Sequence, residues 1–172
     1  MRHIDRLFRP RAGAEVFPAL MECSKMAEIN HLIGIKGSLG AVYAAIGTVE
    51  GLKEWWTADA SGSSEVGETI HFRFGKIGAQ DMKVTELRKD TLVRWTCTKH
   101  QSVEWIGTEF TFALNETDGQ ISLRFTQSKW KEVTDTLAYS STKWASYLLG
   151  LKEYIETGSG RPYPHDLRTT HR

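Results

Sequence analysis

Cysteine is scarce, with Cys23 and Cys97 the two in 172 residues, too few for a disulfide framework or a four-cysteine zinc site. Both are expected to be reduced thiols. No apolar run approaches the roughly 18 residues of a membrane-spanning helix, and no apolar stretch of the secretory kind opens the chain. A globular cytoplasmic protein with no membrane span is therefore expected. Charge of one sign is also lacking, because 22 Lys and Arg against 21 Asp and Glu leave a net +1. Without a global field there is nothing to draw nucleic-acid phosphates or anionic lipid. The histidines His3, His31, His71, His100, His165 and His171 are scattered, with no HxxxH or HExxH spacing to bring metal ligands together. Neither a metal nor a cofactor is expected.

What is present is enough apolar material, 40% of residues, for one domain with a substantial core. The opening segment differs from the rest: Arg2, Arg6, Arg9 and Arg11 are interrupted by Pro10 and Pro18, with no sustained period. Residues 1–28 are expected to be a loosely ordered N-terminal extension, and a start of translation at Met26 is one version of that reading. The domain itself is placed at 29–165, and 166–172 is a C-terminal tail.

From Ile29 the pattern sharpens. "INHLIGI" alternates as a strand, and Leu39, Val42, Tyr43 and Ile46 then follow helical spacing behind Ser38 as N-cap. Gly47 and Gly51 break this stretch into two short helices, the second ending in Trp55 and Trp56. "TIHFRF" sets Ile70, Phe72 and Phe74 on one face and His71 and Arg73 on the other, the alternation of a half-buried strand. Further strands run through Met82 and Val84, and through Val93, Trp95 and Cys97. A hairpin pairs Phe110, Phe112 and Leu114 with Ile121, Leu123 and Phe125 around Asp118–Gly119. Glu109 and Arg124 are placed to pair across it.

The last element is a long helix whose stripe is Val133, Leu137, Ser140, Trp144, Leu148, Leu151 and Ile155. Gly158 and Pro162 end it. A sheet of six or seven antiparallel strands whose apolar face has one helix for a partner must curl around it. A rod about 10–12 Å wide readily leaves space in such a curl, so a cavity between helix and sheet is expected. Its candidate lining is Phe72, Phe74, Met82, Val84, Trp95, Cys97, Phe110, Phe112 and Phe125 from the sheet, Trp55 and Trp56 from its edge, and Tyr139, Lys143 and Trp144 from the helix. Walls of this kind suit a hydrophobic or aromatic small molecule.

"GLKEWW", "EWIGTEFTFAL", "ISLRFTQSKW" and "STKWASYLLGLKEYIETGSGRPYP", in this order, resemble the START-like or SRPBCC superfamily with the helix-grip fold of the birch-pollen allergens. The similarity is to the branch named after homologues of the heat-shock-90 ATPase activator, and it runs from about Ile29 to His165. Relatives often carry a histidine where this chain has Gln127, and the first 25 or so residues have no counterpart. The resemblance implies an α+β helix-grip fold: a curved antiparallel six- to seven-stranded sheet wrapped around a long C-terminal helix, with two short helices after strand 1. It also implies an internal site for an apolar or amphipathic ligand.

Three functions follow. The first is a binding module for a hydrophobic or aromatic small molecule, with no covalent chemistry. The second is a polyketide cyclase-like or hydrolase-like enzyme in which Tyr139, Lys143 or Glu86 moves a proton in the same cavity. The third is a chaperone cofactor acting through its outer surface, and a homodimer is left open. Cys97 and His100 lie too far apart along an extended segment to form a nucleophile and base pair.

Overall fold

Alternating apolar residues lay down a single seven-stranded sheet, and nonalternating stretches carry the chain across and over it. The computed structural model describes residues 27–169. Most of the expected N-terminal extension, with Cys23, lies outside the described residues, while Ala27 and Glu28 already belong to the first strand.

The strands are β1 (Ala27–Ile35), β2 (Asp59–Gly62), β3 (Thr69–Arg73), β4 (Ala79–Arg88), β5 (Leu92–Lys99), β6 (Glu109–Thr117) and β7 (Gln120–Trp130). All pair antiparallel, in the order β1-β7-β6-β5-β4-β3-β2. Consecutive strands from β2 to β7 are neighbours joined by short links. The exception is β1, which sits at the edge opposite β2. Helices α1 (Leu39–Gly47) and α2 (Val49–Lys53) span that distance. Ser38 and Thr48 cap them, each side-chain oxygen accepting a backbone N–H three residues on. The β6–β7 turn holds Asp118 at φ 53° and Gly119 at φ 73°, the pair of positive φ values that a two-residue hairpin needs. Trp55 and Trp56 follow α2 instead of ending it, and both are buried.

Helix α3 (Asp135–Thr157) begins behind Thr134, whose hydroxyl accepts from Leu137 N at 3.3 Å. Its stripe of Ser140, Trp144, Leu148 and Leu151 is buried against the sheet. Val133, expected to open that stripe, precedes the cap and is 81% exposed. Thr134 is the reason: a side chain that caps the helix must stand outside it.

Three bulges interrupt the pairing, one of them at Thr98 opposite the step from Asp81 to Met82, and the other two redirect strand faces. Opposite the single step from Trp95 to Arg94, β4 inserts Thr85 between Val84 and Glu86. The alternation shifts by one, and Glu86 turns outward with Arg94. Opposite Ala27–Ile29, β7 inserts an extra residue between Gln127 and Trp130, and Lys129 takes φ 66° there. Trp130 is thereby turned inward and fully buried. The pair expected between Glu109 and Arg124 does not form, because Arg124 stands opposite Ala113. Glu109 accepts instead from Lys129 at 3.0 Å and lies 3.6 Å from Arg94.

Close backbone approach decides the entry into α2. A Cβ on Gly51 would lie 2.4 Å from Ala44 O and 2.5 Å from Ala45 Cα, so α1 and α2 meet only because this residue has none. Gly→Ala inside an exposed helix stabilises by up to about 1 kcal/mol. Gly51→Ala is expected to do the opposite, lowering stability by roughly 1–3 kcal/mol through overpacking, and urea unfolding midpoints of the two proteins check the sign.

Candidate functional site

The middle of the concave face is solid. Trp144 lies 4.3 Å from the Phe125 ring, 5.0 Å from Trp56, 5.6 Å from Phe110 and 6.1 Å from Phe112, centroid to centroid. Trp56 in turn meets Phe72 at 4.2 Å, and Trp95 meets Phe112 at 4.9 Å. Such tilted and offset contacts stabilise ring pairs beyond their buried area. Trp55 packs behind them and donates its Nε1–H to Ala45 O at 2.9 Å.

Open space lies at one end of this array. A cavity of about 660 Å³ is bounded by the first half of α3, the β3–β4 turn, the segment after β5 and the chain beyond α3. Of the residues proposed from the sequence, Trp56, Phe74, Tyr139 and Lys143 line it. Trp55, Phe72, Met82, Val84, Trp95, Cys97, Phe110, Phe112, Phe125 and Trp144 are buried in the core and do not. The physical reason is size, since six-membered and indole rings converging from both sides of a narrow curl interlock and exclude space. Glu86, a candidate proton carrier, is on the outer face, bonded to Arg94 at 2.6 Å and Arg88 at 2.5 Å.

The helix wall is a single face of α3: Thr136, Tyr139, Ser140, Lys143 and Tyr147, at the three- and four-residue spacing of neighbours on a helix. Opposite stands Trp105, on a 3₁₀ turn (Val103–Trp105). Its indole donates to Ser140 Oγ at 3.0 Å, so a polar side chain in the α3 stripe has a defined partner. His100 stacks on Trp105 at 4.2 Å with rings 7° from parallel. Its Nδ1 accepts from Ser102 N at 3.0 Å, and burial pushes its pKa below the usual value, which keeps the imidazole neutral. Tyr163 closes the far side, its ring edge-on to Phe74 at 5.5 Å.

Charge lies where the helix wall meets the chain beyond α3. Lys143 Nζ pairs with Asp166, donates to Leu167 O at 2.9 Å and lies 4.7 Å above the Tyr147 ring. The Tyr147 phenol is pushed far up, first by burial and then by Asp166, Tyr139 and Tyr163. It therefore remains a neutral hydrogen-bonding group. Cys97 is not part of the site: burial raises its thiol to about 11, which leaves little of the reactive thiolate at neutral pH. Among the described residues no group of three or more His, Cys, Asp and Glu is placed to hold a metal ion. No helix there is long and apolar enough to cross a membrane.

His100, Trp105, Tyr147, Tyr163 and Asp166 were not among the lining residues proposed from the sequence. For Tyr147 a signal existed, since Tyr139, Lys143 and Tyr147 recur at intervals of four. The others sit in segments without a period, and only the fold brings them to the cavity.

Residues 37–156, more than half of the chain, match the family model described as Activator of Hsp90 ATPase homolog 1-like protein. Aha1 from Colwellia psychrerythraea, solved in solution as a dimer, is 46% identical with a TM-score of 0.72, covering 78% of this chain and 100% of that one. Protein SSP2350 from Staphylococcus saprophyticus is 19% identical, with a TM-score of 0.65 over 78% of this chain and 95% of that one. CalU16 from Micromonospora echinospora is 13% identical, with a TM-score of 0.64 over 80% and 77% of the two chains. At these lower identities the likeness is one of fold alone. Among curated proteins none matches.

The 3₁₀ turn is tied to the start of α3 by Glu104, which accepts from the Thr134 hydroxyl and from Thr136 Oγ1 at 2.8 Å. These two bonds hold its carboxyl below the usual range. A carboxyl lowered in the folded state stabilises above its unfolded pKa, and that contribution is lost as pH falls through the folded value. Thermal unfolding followed from neutral pH into the carboxylate range should show a shallower acid loss for Glu104→Gln than for the parent. Parallel acid limbs would mean that the tie contributes nothing.

Proposed function

The chain belongs to the family of activator of Hsp90 ATPase homolog 1-like proteins, and on that premise we propose that it is a module binding a hydrophobic or aromatic small molecule at the open end of its helix and sheet. The observation that carries the reading is the 660 Å³ cavity, which falls within the roughly 300–1,000 Å³ of small-molecule sites. Flat apolar surface comes from Trp56, Phe74, Trp105 and Tyr163, while the charged groups, Lys143, Asp166 and Arg168, sit where α3 meets the chain beyond it. This division suits a molecule with one greasy body and one polar end. Rigid rings bonded into the core, such as Trp105 through Ser140, give the site its shape before any ligand arrives, which lowers the ordering cost of binding.

Of the groups open to an enzyme's proton transfer, Glu86 faces outward with Arg94, Lys143 is engaged by Asp166, and Tyr139 alone is left on the cavity wall without a charged partner. Binding needs no such step, so the module reading is preferred to a cyclase-like or hydrolase-like enzyme. A chaperone partner, suggested by the family's name, would meet the outer surface and is compatible with an occupied cavity.

Titration with N-phenyl-1-naphthylamine, a neutral aromatic whose emission rises in apolar surroundings, is the direct test. Saturable binding is expected, weakened roughly tenfold by Phe74→Ala, which removes a wall ring outside the central array. If no member of a panel of apolar aromatics binds, the module reading falls. We further infer a homodimer from the 46% identical relative solved as a dimer. Light scattering coupled to gel filtration should then return twice the chain mass, and a monomer across the accessible concentration range would refute it.

A further inference from the structure

The chain beyond α3 crosses the mouth of the cavity as a strap fastened at both ends. On the sheet side, Tyr163 N donates to Trp56 O at 2.9 Å, and Tyr163 O accepts from Ala58 N at 3.4 Å. On the helix side the fastening is ionic. Lys143 holds the Asp166 carboxylate and also donates to Leu167 O, with Thr169 Oγ1 donating to Tyr139 at 3.3 Å. An ammonium has three protons to donate, and the strap takes two of them.

The charges around the cavity do not balance. Lys143 and Arg168 line it against Asp166, and among the described residues no carboxylate lies within ion-pair distance of Arg168. The Lys143 side chain is only 19% exposed and that of Asp166 11%, so removing Asp166 with nothing in its place would leave a largely buried, uncompensated cation. Another anion arriving in the cavity changes that. The ammonium stays paired throughout, Asp166 returns to water on an otherwise exposed segment, and the ligand's apolar body gains burial against the aromatic walls. A neutral ligand has no means of making this exchange.

Resting on the reading of the cavity as a binding site, we propose that its ligand class is the amphipathic aromatic anion, whose acidic head takes the place of Asp166 on Lys143 and thereby unfastens the strap. Arg168 provides a second cation within the same lining. Because Asp166 is tethered, it competes at high local concentration, and the strap acts as a gate that opens to acids.

The experiment uses the full chain and two probes of nearly the same aromatic body, 8-anilinonaphthalene-1-sulfonate, which is anionic, and N-phenyl-1-naphthylamine, which is neutral. The ratio of anionic to neutral affinity is measured for the parent, Lys143→Met and Asp166→Asn. Lys143→Met is expected to lower that ratio roughly tenfold, and Asp166→Asn to raise it several-fold, on the order of one charge-assisted contact. Hydrogen exchange over residues 163–169 should quicken when the sulfonate binds and stay unchanged with the neutral probe. A ratio indifferent to both substitutions, with the neutral probe still bound, overturns the anion exchange and leaves the module reading standing. An anion that binds without loosening residues 163–169 overturns it equally, and failure of both probes and of the whole apolar panel to bind removes both readings.

Discussion

Trp144 is the contact on which the rest of this structure depends. A sheet curled around one helix encloses more room than a backbone rod can fill, and the helix must therefore present something large. At the middle of α3 it presents an indole, which meets Phe110, Phe112 and Phe125 from two adjacent strands and Trp56 from the loop after α2. The indole Nε1 atoms of Trp56 and Trp144 are buried and meet no protein hydrogen-bond acceptor, so what these two rings contribute comes from ring packing and apolar burial. Stability and cavity thus have one origin, because filling the hollow at its centre moves the unfilled space to one end.

That end is built from a different kind of residue. One and two turns toward the helix N-terminus from Trp144 stand Ser140 and Thr136, much smaller side chains. Trp105 fills part of the gap from a loop and is held there by Ser140, while Glu104 beside it fastens the same loop to the first turn of α3. The outer face of the sheet is separate in character, carrying Arg94, Glu86, Glu109 and Lys129 in a partly solvated network of the kind that adds little net stability. The open space thus lies between the small residues of α3 and the strap.

The strands around Phe72, Trp95, Phe112 and Leu123 were legible because alternation with period two leaves no second way to bury one face. The length of α3 and its stripe were legible for the corresponding reason at period 3.6. Glu86 shows where such reasoning stops. Its spacing from Met82 and Val84 places it on the inner face, and the bulge at Thr85 sends it to the other. A single inserted residue has no signature in composition, yet it reverses everything beyond it. β2 was missed because Asp59–Gly62 carries one buried side chain, Ala60, and is a strand only because β3 lies beside it.

Residue order by itself determined the elements, the antiparallel succession of strands and the helix that closes them, since each of these is a local periodicity together with the need to bury one face. Only the tertiary structure decided which aromatic rings touch one another and which touch open space. Phe74 and Phe112 are alike in sequence, yet one walls a cavity and the other interlocks with Trp144. The distinction rests on where a curved sheet stands relative to a side chain from a distant helix, and on a strap from beyond α3 folding back over the opening. Those are relations between segments far apart in the chain, and no pattern within a segment encodes them.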